Sequence, residues 1–255
     1  GREMHDLHFR DLRTGEMLSD HLSGLASQVA WANDNRSVYY LRLDAVLRPV
    51  QVWRHVLGTT AYADVLVYEE MDITFDMSLE KSRDGNFVLI QLVSTLSTET
   101  RLIDANDAAG SSRPFLPREA NHRYFVELDG TEAWVLSDRD APNYRLLQVD
   151  LAHSADRARW QEVLPHRPDV PLYGMLLFRD FVALNEVHGG TVKLRVLGRD
   201  GKSDYYIEGS ESVYSATLTE NPELVSDTVR YEYTSLATPR AVHDFRPRTN
   251  EDQVL

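Results

Sequence analysis

One residue type keeps returning to one kind of place. Asp34, Asp84, Asp129 and Asp180 each sit between two apolar, strand-like runs, spaced 50, 45 and 51 residues apart. Two of them are followed by glycine, as Asp84-Gly85 and Asp129-Gly130. Asp-Gly between alternating strands is a strong hairpin signal, and in the tightest loops both residues need positive φ. A chain that makes the same turn at a near-constant interval is repeating one supersecondary unit.

The repeat is visible around each turn. "QVAWANDNRSVYYLRL" is followed by "VQVWRHVLG" and "DVLVYEE", and "DMSLEKSRDGNFVLIQLV" by "TETRLIDAND" and "RPFLP". "HRYFVELDGTEAWVLSD" leads to "NYRLLQVDL" and "WQEVLP", and "PLYGMLLFRDFVALNEV" to "GTVKLRVLGRDGKSDYYIEG". A fifth unit runs from "SVYSATLTENPELVSDTVRYEYTSL" through "PRAVHDF" to "DQVL". In it, "YEYTSLATPRAVHDF" supplies the second and third strands. Four strands per unit at a period near 45 is the requirement of a β-propeller blade, whose faces are buried only by its neighbours. The expected fold is therefore all-β: about five four-stranded blades at 27–70, 71–118, 119–165, 166–209 and 210–255, in one domain. Helix is confined to one short candidate, "SADRARWQE" (154–162), with Ser154 as N-cap.

Composition narrows the classes of function. A net charge of −13 argues against nucleic acid, whose phosphates need a basic face. It suits cationic partners, although acidity also serves solubility alone. No stretch approaches the roughly 18 apolar residues of a membrane span. The opening "GREMHDLHFRDLRTGE" has no apolar run of a secretory leader. With no cysteine, disulfides and thiolate metal sites are excluded, which is compatible with a reducing, cytoplasmic setting. Both ends read as cut, because the chain opens on Gly1 and closes in a strand-like run.

The strings "VAWANDNRSVYYLR", "QVWRHVLGT", "LVYEE", "TETRLIDA", "NYRLLQV", "LPHRPDV" and "YEYTSLATP" resemble, in order and gap, the propeller of the prolyl oligopeptidase family of serine peptidases, on its oligopeptidase B branch. The likeness extends from about Phe9 to Leu255. It implies a seven-bladed propeller followed by an α/β-hydrolase domain, of which five blades are expected here and the catalytic domain is absent. It further implies hydrolysis of short peptides after Arg or Lys, with the propeller excluding folded proteins and the triad lying in the missing domain, a partner in cis. The rival reading is a stand-alone propeller acting as an interaction scaffold. There "HDLHFRDLRTGE" would complete the last blade beside "DQVL"; without closure, exposed edges invite self-association.

The residues offer little chemistry of their own. A hydrolase nucleophile needs G-x-S-x-G, and Ser210 in "EGSES" lacks the second glycine. "HGGT" (188–191) resembles an oxyanion-hole loop but lies between two strand-like runs, where paired glycines make a turn. His5, His8, His21, His55, His122, His153, His166, His188 and His243 are scattered, and none forms a helical i, i+4 zinc pair. "DRDAPN" (138–143) begins like a calcium loop, but position twelve is Val149 rather than Glu. Asn35-Arg36-Ser37 is a glycosylation sequon in a tight turn and is read as chance. Neither cofactor nor metal is expected. Arg42, Arg54, Arg101 and Arg195 are expected to pair with carboxylates from blade to blade. One cluster remains a candidate site: Glu69, Glu70 and Asp72, where the first blade hands over to the second. It either attracts cationic peptides, or forms a solvated loop or an inter-blade ion pair.

Overall fold

In the computed structural model, which describes residues 3–107 and 110–255, the chain divides into two compact units, Gly1–Asn121 and His122–Leu255. The described residues form five antiparallel sheets, each a simple meander.

The first unit holds two sheets. One orders β1 (His5–Arg10), β2 (Met17–Trp31), β3 (Ser37–Leu43), β4 (Pro49–Val56) and β5 (Val65–Glu69); the other orders β6 (Asp76–Lys81), β7 (Phe87–Val93), β8 (Thr98–Asp104) and β9 (Ser112–Pro114). The second unit holds three. These are β10 (Tyr124–Asp129) to β13 (Gln161–Leu164), with β11 (Glu132–Ser137) and β12 (Arg145–Asp150) between them; β14 (Leu172–Leu177), β15 (Phe181–His188), β16 (Thr191–Gly198) and β17 (Asp204–Tyr206); and β18 (Tyr214–Leu218), β19 (Val229–Ser235), β20 (Ala241–Arg246) and β21 (Glu251–Val254). The first sheet thus has one strand more than expected. "HDLHFR" pairs with β2, and β21 pairs with β20, so β1 belongs to the first sheet and is not the completing strand of the last.

Side-chain alternation explains how the sheets stack. Along β15, Phe181 and Ala183 pack with Tyr214, Ala216 and Tyr231 of the fifth sheet, while Val182 and Leu184 pack with Trp134 and Leu136 of the third. A period of two delivers successive residues to opposite faces, so an uninterrupted apolar run is what a doubly covered strand requires. In the first unit, Tyr39, Leu41 and Val52 meet Met77, Leu79, Val88 and Ile90 in the same way. Last strands such as β5 and β21 are mostly exposed.

The turns are not all of one kind. Ala32 N–H donates to Ser37 O, and Ser82 N–H to Phe87 O, closing four-residue loops. In these the aspartate side chain organises the loop: Asp34 accepts from the N–H groups of Arg36 and Ser37, and Asp84 from that of Asn86. Positive φ falls on Asn35 (54°) and Gly85 (75°) alone. Asp129 ends its strand, and only Gly130 (60°) in the following loop has positive φ. The demand for positive φ at both residues holds instead at Gly189 and Gly190 (56° and 85°), which confirms "HGGT" as a hairpin turn. The helix expected at 154–162 is absent. Two 3-10 turns, Leu151–His153 and Arg157–Arg159, are capped by Asp150 and Asp156, and Ser154 closes the first rather than opening a helix.

The first sheet is pinned by a buried histidine. His55 Nδ1 lies 2.7 Å from Asp64 Oδ1 and Nε2 lies 3.1 Å from Asp20 Oδ1, with all three side chains sequestered. Asp64 also accepts from the Tyr40 hydroxyl, and Asp20 from Gly58 N–H at 2.6 Å. Burial and the bond to Asp64 push the Tyr40 phenol up to about 12. His55→Ala would leave two buried carboxylates without their partner. It is expected to cost about 3–5 kcal/mol, read as a lowered urea midpoint at unchanged slope.

Candidate functional site

The expected cluster lies where β5 leaves the first sheet, but its three carboxylates have different surroundings. Glu70 is buried; Glu69 and Asp72 are exposed. Glu70 accepts from Arg118 at 2.5 and 3.3 Å, from the Tyr68 hydroxyl at 2.8 Å and from Asp72 N–H at 2.9 Å. Arg118, which follows the last strand of the second sheet, donates through Nε to Glu99 at 2.8 Å. Its guanidinium also lies over the Phe75 ring. Glu70 and Arg118 therefore form an ion pair between sheets. Burial alone would raise the Glu70 carboxyl, yet the Arg118, Asp72 and Tyr68 donors prevail and hold it below the usual range. Asp72 is occupied with its own turn, accepting from Thr74 N–H and hydroxyl. Glu69 accepts from Gln51 at 2.7 Å and presents its carboxylate to solvent.

A second charged cluster escaped the sequence reading. Glu186 of β15 is fully buried and accepts from Arg195 at 3.1 Å, from Arg167 and from the Tyr206 hydroxyl at 2.6 Å, with His188 Nε2 3.0 Å away. Burial pushes its carboxyl up, but Tyr206, His188 and the two arginines together hold it down. Its one legible signal was a lone acid inside the apolar run "FVALNEV".

The other candidates resolve into structure. Ser210 donates to Glu211, which also accepts from Tyr233, Ser235 and Thr238; these hydroxyls hold the Glu211 carboxyl down at about 2. Asp138 of "DRDAPN" accepts from Arg123. Among the described residues, no group of three or more His, Asp or Glu is arranged to hold a metal ion. Three of the four arginines depart from expectation. Arg101 pairs with Glu99 of its own strand and Arg195 with Glu186 and Asp204 of its own sheet, while Arg42 lies over Trp53. Sheet-to-sheet pairing falls instead to Arg118, to Arg199 with Asp129 and Glu132, and to Arg248 with Asp180.

A family profile described as prolyl oligopeptidase, N-terminal beta-propeller domain, matches residues 1–255. The chain belongs to the prolyl oligopeptidase family. It is 35% identical to dipeptidyl aminopeptidase BI of Pseudoxanthomonas mexicana, covering 100% of this chain and 35% of that protein. It is 26% identical to Protease 2 of Moraxella lacunata, covering 100% and 36%. Its five sheets match the propeller of oligopeptidase B from Leishmania major with a TM-score of 0.90 at 25% identity, over 99% of this chain and 37% of that one. The chain thus spans about a third of the length of the family members it matches. The fold expectation, all-β and of propeller type, is met.

Removing the buried acids tests their structural weight. Glu186→Ala is expected to cost about 3–5 kcal/mol, and Glu70→Ala about 1–3 kcal/mol, since Arg118 keeps Glu99 and some solvent. Both carboxyls are depressed in the folded state. Their contribution is therefore complete above the unfolded value of about 4.3 and is lost as pH falls through the lower folded value. Urea titrations from pH 7 to pH 3 should show the gap between wild type and Glu186→Gln narrowing only below that point.

Proposed function

We propose that this chain is the substrate-admitting part of a serine oligopeptidase that hydrolyses short peptides on the carboxyl side of Arg or Lys. The observation that carries the reading is the family match along the whole chain. The basic specificity is what the resemblance of the seven strings to the oligopeptidase B branch implies. Nucleophile, base and oxyanion donors would belong to a catalytic domain in the same polypeptide, and the propeller would exclude folded proteins from it. The net charge of −13 raises the local concentration of cationic peptides. Of the three candidate acids, Glu70 is taken by the inter-sheet pair and Asp72 by its own turn, which leaves Glu69 as the exposed carboxylate best placed to meet a cation. A cysteine-free composition is consistent with a cytoplasmic setting.

A second reading has its own support. The relative at 35% identity is a dipeptidyl aminopeptidase, which releases dipeptides from a free N-terminus. One assay separates the two. The polypeptide joining this chain to its catalytic domain is given blocked Arg-Arg and unblocked Gly-Phe fluorogenic amides, alongside a folded protein. Cleavage of the blocked dibasic amide about tenfold or more faster supports the first reading; cleavage of the unblocked amide alone supports the second. Cutting of the folded protein at a similar rate would sink the exclusion role. The 255-residue chain by itself is expected to show no turnover and no labelling by a serine-directed probe.

A further inference from the structure

Two histidines meet on the hairpin of β1 and β2. His8 lies directly opposite His21, and their rings are stacked, with centroids 4.4 Å apart and planes at 12°. The register is irregular on both sides of this contact, between His5 and Leu7 and again between His8 and Arg10. Irregularities of this kind re-aim side chains and pin the pairing that lies between them. Leu7 packs with Leu22, Leu25 and Tyr40, and Phe9 is buried. Alternation then leaves His8 and His21 exposed together on the opposite face.

Their ring nitrogens are free in a way that those of other histidines are not. His55 has both nitrogens on carboxylates, and His122 lies between Ser137 and Arg157. His188 and His243 rest against Glu186 and Asp252. Apart from its stack on His21, His8 has no hydrogen-bond or ion-pair partner among the described residues. His21 places Nε2 3.2 Å from the Ser23 hydroxyl and keeps Nδ1 open. A ligating histidine uses one nitrogen for the ion and fixes its ring through the other, which is the arrangement His21 already has. Asp6, two residues before His8, keeps its carboxylate beside Gly24 N–H at 3.4 Å. Arg10, two residues after, donates Nε to Gly15 O at 2.8 Å, which draws its charge towards the turn.

Two imidazoles side by side on one face are a chelating pair for a borderline divalent cation of the Zn²⁺, Ni²⁺ and Cu²⁺ class. Two nitrogens each about 2.1 Å from one ion, at a tetrahedral angle, stand roughly 3.4 Å apart. Rings stacked at 4.4 Å reach that spacing by turning their edges together about the soft torsion next to the ring. We propose that His8 and His21 form a two-histidine site for a zinc-class divalent cation, with water in the remaining positions. Among the described residues no third protein ligand is arranged beside them, so the site is open and exchangeable, unlike a closed four-ligand centre. Hard cations such as Mg²⁺ and Ca²⁺ find no oxygen set here. The ion bridges β1 to β2 and clamps the outermost hairpin of the first sheet. None of the groups invoked for peptide hydrolysis takes part, so the site stands or falls independently of that reading.

The test is a calorimetric titration of the chain with Zn²⁺ at neutral pH, repeated on His8→Ala, His21→Ala, the double variant and His153→Ala. The wild type should bind one equivalent about tenfold or more tightly than the double variant, because the second ring acts at high effective concentration. Each single variant should fall to the level of the double variant, since chelation needs both rings. His153→Ala, at another exposed histidine, should bind like the wild type. In proton spectra the imidazole C–H signals of His8 and His21 should move together on adding Zn²⁺ and stay in place on adding Mg²⁺. Both positions are exposed, so the variants should keep the wild-type melting temperature in the absence of metal. Equal zinc affinity in the wild type and the double variant, or full wild-type affinity in either single variant, would overturn the proposal.

Discussion

Two-sided burial of the second strand is the constraint from which the rest of this structure follows. In β15 the odd residues Phe181 and Ala183 serve one neighbour and the even residues Val182 and Leu184 the other. A sheet built on such a strand cannot stand alone in water, because covering one face leaves the other exposed. Stacking is therefore imposed by the side chains before any loop is considered. A strand apolar on both faces also has no solvent side on which to place an acid. Glu186, at the end of β15, is accordingly surrounded by two arginines, a tyrosine and a histidine. A buried carboxylate is tolerable only where its partners replace the lost water.

The same reasoning explains why arginine joins the sheets. Neighbouring sheets hold together through apolar contact, and at their margins hydrogen-bonding groups must be matched across a gap. Arg118 reaches Glu70 and Glu99 from one side chain, and Arg199 reaches Asp129, Glu132 and two carbonyls. A planar fork with five donors can satisfy several acceptors at once, which a lysine ammonium does less directionally. Glu70 is held by this geometry and is less available to a passing cation than its position in the sequence suggests.

Local pattern made the strands legible. "FVALNEV" and "RYFVELD" declare themselves by period and by their flanking turns, and "HGGT" by its paired glycines. Asp34 and Asp84 were recognisable as turn residues, but their mechanism was not: the side chain caps backbone N–H groups while positive φ passes to the next residue. Partner identity was least accessible. Glu70 and Arg118 are 48 residues apart, and Asp20 meets His55 across 35. No local periodicity encodes such distances; they follow from the stacking of whole sheets or the meander within one. The short "SADRARWQE" failed for a related reason. Ser154 is taken as the last residue of the turn that Asp150 caps, and Asp156 caps a single tight turn at Arg157–Arg159, so no helix starts at Ser154.

Edges complete the argument about charge. An unpaired strand edge can recruit another chain, and the sequence raised that hazard for this one. The outer strands are short, and acids are common on them: Glu69 on β5, Glu162 on β13, Asp204 on β17, and Glu251 and Asp252 on β21. β9 is three residues long and ends in Pro114. Exposed carboxylates lose little hydration at such positions, whereas two copies meeting edge to edge would bring like charges together. Part of the net charge of −13 thus has a structural reason at the sheet margins, separate from any attraction of cationic peptides.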